Sequence, residues 1–256
     1  MSLVGRLLGH SKPRSAPAAV ADGTRVYAIG DIHGRSDLVA KLAQLVVADL
    51  QTAPPRGRVL LIFLGDYVDR GMDSRGVLNG LAQSEFASRA IFLRGNHEAM
   101  LLSFLNDPAI GLDWIRNGGL ETLHSYGIDV SGLRSGQGIE EAQRALKNVL
   151  PPTHVEFLRA TRLSFECGDY YFCHAGVRPG VPLRAQREDD LMWIRDEFTK
   201  STVDFGKVIV HGHSPVLHPE ILSNRINIDT GAYVSGALTC VVLEGTNRKF
   251  LSTRSR

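Results

Sequence analysis

Short runs of uninterrupted apolar residues recur along the chain, each ending in a loop of Gly, Asp or His, and between them lie stretches of helical periodicity. Val59–Leu64 is apolar at every position, which suits a strand covered on both faces. Arg25–Ile29 and Arg89–Leu93 have the same character, and Leu163–Cys167, Tyr170–Cys173, Val208–Val210, Ile226–Ile228 and Ala237–Leu243 continue the series. The first two of these later runs, joined through Gly168-Asp169, read as a hairpin. Asp37–Leu50 carries Leu38, Val39, Leu42, Leu45 and Val46 on one stripe, with Ser36 as its predicted cap. Ser74–Gln83 predicts a helix weakened by Gly76 and Gly80, and Met100–Leu105 a short apolar one. Residues 111–130 read as helical with a break at Asn117-Gly118-Gly119; Ile139–Leu150 and His154–Ala160 flank Pro151-Pro152 as two further helices. Strand, loaded loop and helix in repetition predict an α/β fold.

Composition narrows this picture. A chain of 256 residues, 43% hydrophobic, can bury one substantial core, so residues 24–256 are expected to form a single domain. Residues 1–23, proline-broken and without periodicity, are expected to be a disordered tail, although Ser2–Leu8 could form one amphipathic turn. The net charge of +2, with its basic residues scattered, points to no nucleic-acid partner. Cys167, Cys173 and Cys240 are odd in number and lie in apolar runs, as expected of buried thiols in a reducing compartment. No window reaches the apolar length of a membrane span, and Met1–His10 does not read as a secretory signal. Cytoplasmic residence is the expectation by elimination.

The strand ends concentrate chemistry. Asp31 and His33 follow the first strand one residue apart, so extended backbone points both the same way. Asp66, Asp69 and Arg70 follow the second, Asn96 and His97 the third, and His174 and His213 end two later strands. Asp31 and His33 for one ion, Asn96, His174 and His213 for another, and Asp66 bridging them make two oxygen/nitrogen sites. A carboxylate bridge holds two metals roughly 3.5–4 Å apart, the spacing at which they clamp an in-line displacement and activate a shared water. Neither site is rich in thiolate; manganese is the first expectation, with iron and zinc also suitable. Arg70 can grip phosphate oxygens. His97, left without a metal role, can protonate a leaving alkoxide, with Asp69 as its orienting acid. His124 and His154 stand isolated in helices and read as structural or surface groups. A thiol-nucleophile reading of Cys173 fails because strand alternation sends it to the face opposite His174.

Gly30-Asp31-Ile32-His33-Gly34, Gly65–Gly71, Gly95-Asn96-His97-Glu98, His174-Ala175-Gly176 and Gly212-His213-Ser214-Pro215, in that order, resemble the phosphoprotein phosphatase family of metallophosphoesterases. The resemblance runs from about Val26 to Leu243. It implies a four-layer αββα sandwich, two mixed central sheets flanked by helices, with a dinuclear centre at the strand ends. It implies the ligand roles given above, phosphate binding by Arg70, Asn96 and His97, and a second phosphate-binding arginine between the late histidines. Arg195, in the run Trp193-Ile194-Arg195, is the first candidate and Arg178 the second. His174-Ala175-Gly176 stands where eukaryotic members generally have His-Gly-Gly, so the chain resembles the compact bacterial serine/threonine phosphatase branch. That branch also holds symmetrical diadenosine tetraphosphate hydrolases, in which the acid at the position of Asp69 is often missing. Its presence here favours phosphomonoesters, phosphoproteins or phosphopeptides above all, with a nucleotide as the alternative substrate. A non-catalytic metal-binding module would show a degraded ligand set, and every position of the pattern is filled.

Overall fold

The computed structural model describes residues 17–83 and 90–254. The first strands are β1 (Thr24–Ile29), β2 (Arg58–Phe63), β3 (Ala90–Phe92), β4 (Ser164–Cys167) and β5 (Tyr170–Cys173). After them come β6 (Val208–His211), β7 (Glu220–Ile221), β8 (Arg225–Asn227), β9 (Thr239–Glu244) and β10 (Asn247–Ser252). They make two five-stranded sheets, ordered β10-β9-β1-β2-β3 and β4-β5-β6-β8-β7. Strands β1, β2 and β3 are parallel, as are β5, β6 and β8, while the outer pairings are antiparallel.

The sheets stack face to face. Alternation sends Val26, Ala28, Ile62 and Val241 of the first sheet inward against Phe172, Val210 and Ile226 of the second. Tyr27 and Ile29 point the other way, onto Leu38, Leu42, Val77 and Leu78 of α1 (Ser36–Thr52) and α2 (Ser74–Ala82). On the far side of the second sheet, Tyr171, Cys173 and Ile209 pack on Val177, Leu191 and Phe198. Each sheet is covered on both faces, which is why its central strands are apolar at successive positions rather than at alternate ones. The architecture is the expected four-layer sandwich with mixed sheets. The three cysteines are buried free thiols divided among the three apolar clusters.

Several boundaries differ from expectation for identifiable reasons. Ser36 opens α1 instead of capping it; its hydroxyl turns to the carboxylate of Asp73. Asp73 is itself the cap of α2, accepting from Gly76 N–H at 2.9 Å. The helix expected from Met100 begins at Asn96 and runs to Asn106 (α3), because Glu98 folds back onto the Gly95 N–H and closes the first turn. Residues 111–125 are helical around a π turn at Ile115–Gly119, where Gly118 at φ 107 supplies the expected break. Strand β10 is polar along Asn247–Lys249, and its apolar pair Phe250-Leu251 is too short a run to predict a strand. Of the expected tail, residues 1–16 lie outside the described residues, as does Arg89. Residues 17–23 pack closely: Ala18 and Val20 are buried, Ala19 N–H donates to Asp169 at 3.0 Å, and Val20 N–H to Gly245 O at 3.1 Å. Among the described residues no helix is long and apolar enough to cross a membrane.

Phe172 is fully buried between the sheets, so Phe172→Ala is expected to lower unfolding free energy by about 3–5 kcal/mol in denaturant titration. Val47→Ala, at an exposed position of α1, is expected to stay within about 0.5 kcal/mol of wild type.

Candidate metal centre

Parallel strands place their carboxyl ends on one edge, where sheets of this kind hold their ligands. Asp31 and His33 leave β1 there, Asp66, Asp69 and Arg70 leave β2, and His174 and His213 leave β5 and β6. Asn96 and His97 occupy the first turn of α3. Among the described residues, those other than glycine with positive φ are His33, Asp66, Asp69, Arg70 and His213, all of them candidate site residues. Left-handed backbone costs about 1–3 kcal/mol at such a residue and persists only where its surroundings enforce it. Glu98 is one enforcing group. Its fully buried carboxylate accepts N–H bonds from Asp66 (2.8 Å), Tyr67 (2.7 Å) and Gly95 (2.9 Å), tying the loop after β2 to the start of α3. Gly95 has no room for a side chain: a Cβ there would lie 2.1 Å from Asp66 Oδ1.

Asp66 presents its two oxygens to two clusters. Oδ2 lies 3.4 Å from His33 Nε2 and 3.8 Å from His97 Nε2; Oδ1 lies 3.3 Å from His174 Nε2. His33, Asp66 and His97 form one group whose ligand atoms lie within 4.8 Å of one another, and Asp66, His174 and His213 form the other. Asn96 joins the second, its Oδ1 3.0 Å from His174 Nε2. Asp31 sits beneath, with Oδ2 accepting His213 N–H at 3.0 Å and Oδ1 buried without a partner. His97 thus stands beside His33 and Asp66 in the first three-residue cluster, and Asp31 contributes a buried oxygen with no partner.

The hydrogen bonding tests whether this donor set fits cations. His174 Nδ1 lies 3.0 Å from Leu64 O and His33 Nδ1 2.9 Å from Val68 O, so each Nδ1–H donates to a carbonyl and each Nε2 offers a lone pair. Burial keeps both rings neutral, holding His174 down to about 3 and His33 well below the ordinary range. His174 Nε2 then faces Asp66 Oδ1, Asn96 Oδ1 and, at 3.2 Å, His213 Nδ1. Burial, then the charge of Glu98, raises Asp66 well above the carboxylate range; burial, then Asp229 and Asp66, does the same to Asp31. Lone pairs converging in a buried space are satisfied by a shared proton or by a cation between them, and the oxygen and nitrogen donors of this set suit two divalent cations.

The neighbouring groups form a second unit. His97 Nδ1 lies 2.7 Å from Asp69 Oδ2, while His97 Nε2 is buried, unpartnered and directed at the clusters. Asp69 also accepts from Trp114 Nε1 at 2.9 Å and from Thr122 Oγ1 at 2.6 Å, and burial lifts its carboxyl to about 7. Arg70 Nη1 stands 3.0 Å from His33 Nε2, and Arg70 N–H donates to Gly118 O at 3.0 Å. A Cβ on Gly118 would come within 2.7 Å of Arg70 Cγ, so glycine is required against this arginine. Arg195 Nη1 donates to His213 O at 3.1 Å, beside the second cluster. Arg178 is engaged elsewhere, by Asp190 at 2.6 Å and by Glu197.

His154 is locked between Tyr126 (2.7 Å) and Asn79 (2.9 Å), and His124 is exposed. Burial pushes the Cys173 thiol up, and its side chain packs in the outer apolar cluster, away from His174. The middle of the chain, which carries no chemistry by pattern, supplies Trp114, Gly118 and Thr122 to Asp69 and Arg70. Glu98 and Asp229 also carry no assignment by pattern; the glutamate's place directly after Asn96-His97 is the signal available for it.

Divalent manganese at 100 times its dissociation constant is expected to stabilise the protein by about 2.7 kcal/mol for each site filled, about 5 kcal/mol for two, a rise in Tm of roughly 10–20 °C by calorimetry. Asp66→Asn is expected to abolish that rise, and His154→Phe to leave it.

Residues 24–238 match the calcineurin-like phosphoesterase family. Over 222 residues the chain is 28% identical to serine/threonine-protein phosphatase 2 of Escherichia coli K12, an alignment covering 84% of this chain and 90% of that one. Over 247 residues it is 29% identical to the asymmetrical bis(5'-nucleosyl)-tetraphosphatase PrpE of Halalkalibacterium halodurans, covering 89% and 93%. The fold is similar to the crystal structure of a cold-active protein-tyrosine phosphatase from a Shewanella species, with a TM-score of 0.55, 17% identity and coverage of 91% and 83%. The family match spans most of the chain and the sandwich agrees with it: the protein belongs to the calcineurin-like phosphoesterases, the metallophosphoesterase family.

Proposed function

We propose that this phosphoesterase is a protein phosphatase acting on phosphoserine and phosphothreonine, with two divalent cations held by Asp31, His33, Asp66, Asn96, His174 and His213. The observation that carries the substrate class is the buried pair of His97 and Asp69, 2.7 Å apart. A serine or threonine side chain leaves phosphorus as a strongly basic alkoxide and needs a proton as the bond breaks. A nucleoside polyphosphate leaves as a weakly basic phosphate and needs none. Two further donors to Asp69, from Trp114 and Thr122, fix the carboxylate that orients His97. So complete a proton-delivery arrangement suits the poorer leaving group.

The cations, when bound, supply acidified water as nucleophile and neutralise charge on the phosphate oxygens. Arg70 and Arg195 supply guanidinium donors to the same oxygens, with Asn96 and His97 beside them. To serve as donor His97 must be doubly protonated, with Nδ1–H on Asp69 and the transferable proton at Nε2, the atom aimed at the clusters. Burial, then the charges of Arg70 and Arg195, oppose that charge, and the Asp69 carboxylate at 2.7 Å favours it. Side chains already placed at this edge fix the approach of the phosphate.

His97→Asn is expected to lower kcat on a phosphoserine peptide about 10²–10⁴-fold and to affect p-nitrophenyl phosphate far less, because nitrophenolate leaves without a proton. Equal losses on both substrates would remove the proton-donor role. The PrpE relatives, named for dinucleoside tetraphosphate hydrolysis, favour a second reading on the same centre. Steady-state comparison of kcat/KM for a phosphothreonine peptide and for diadenosine tetraphosphate separates the two. The first reading expects the peptide to exceed the dinucleotide at least tenfold, and the reverse ratio overturns it.

A further inference from the structure

The turn Ala232–Ser235 between β8 and β9 brings Tyr233 over the site. Its half-buried ring has the Arg70 guanidinium carbon 5.2 Å from its centroid, and it meets the His33 ring edge-on at 5.3 Å. The turn is firmly braced. Gly231 N–H donates to Asp229 Oδ1 at 3.0 Å, Ser235 Oγ to Thr230 O at 2.7 Å, and Arg35 Nη1 to Ala232 O at 3.1 Å. The ring is thereby fixed relative to the sheet.

Arg70 needs such a support at its outer end. Its backbone is pinned against Gly118, but its guanidinium is bonded to His33 Nε2, whose lone pair belongs to the candidate metal cluster. A cation at His33 takes that lone pair from Arg70 and repels the guanidinium. The electron-rich face of Tyr233 then remains to hold the charge beside the site without competing for the ion. The ring does this with its π face, so its hydroxyl is not required. A leucine of similar bulk fills the space and lacks the attraction.

We propose that Tyr233 is a positioning residue, its ring face keeping the Arg70 guanidinium placed for the substrate phosphate. This rests on the reading of Arg70 as a phosphate-binding group. The test uses manganese-loaded protein and measures the Kd of inorganic phosphate by calorimetry, with metal content determined for each variant. Tyr233→Phe is expected to bind phosphate within twofold of wild type. Tyr233→Leu and Tyr233→Gln are expected to bind about 3- to 20-fold more weakly at unchanged metal content. Adding Tyr233→Leu to Arg70→Ala is expected to cost nothing further, since the ring acts through the guanidinium. Losses that add in the double variant, wild-type phosphate binding by both non-aromatic variants, or metal loss from them would each overturn the inference while leaving the role of Arg70 intact. Unchanged phosphate binding by Arg70→Ala would overturn that role and this inference together.

Discussion

A single buried carboxylate, that of Asp66, ties the site together. It sits at the end of a strand covered on both faces, in left-handed backbone, with one oxygen toward His33 and His97 and the other toward His174. Neither arrangement is favourable alone: the backbone is strained, and the carboxylate faces the Nε2 lone pairs of His33 and His174 with the His97 backbone N–H, at 3.2 Å, donating to it. Glu98 supplies the local answer by accepting the N–H groups of Asp66, Tyr67 and Gly95. Cations between the clusters would supply the electrostatic one. Backbone strain at five positions in this one region is what a preorganised site stores, and the two stacked sheets are the rigid body that maintains it.

Around that carboxylate the chain divides its labour. The strand ends of the two sheets carry the candidate ligands. The helical segment 111–125 carries the groups that hold Asp69 and the Arg70 backbone. Its π turn lets Gly118 meet the Arg70 backbone while Trp114 and Thr122 reach Asp69. The bound phosphate oxygens would thus meet groups set by the sheets, and the leaving group would meet a histidine set by the helices.

The ligand-bearing part of this arrangement was legible because each element announces itself locally. An uninterrupted apolar run predicts a strand covered twice, and the polar residues just after it must lie at the sheet's edge. Asp31, His33, Asp66, Asn96, His174 and His213 could all be placed by that reasoning. What escaped it depends on distance in sequence. Trp114 and Thr122 approach Asp69 across 45 and 53 residues, and no periodicity encodes such a contact. Ser36 and Asp73 both have cap chemistry, and only the tertiary pairing of their side chains decides which serves as cap. Asn96 and His97 read as a strand end because the run before them is apolar, whereas Glu98 draws them into the helix. Strand β10 is polar at its exposed start and depends on pairing with β9 for its structure.

The bridging role of Asp66 is tested most directly by electron paramagnetic resonance on manganese-loaded protein, with metal content measured on the same sample. Two manganese ions per chain, giving the broadened multiline spectrum of a spin-coupled pair, are the predicted result. One ion per chain, or two with the six-line spectrum of isolated manganese, would contradict it.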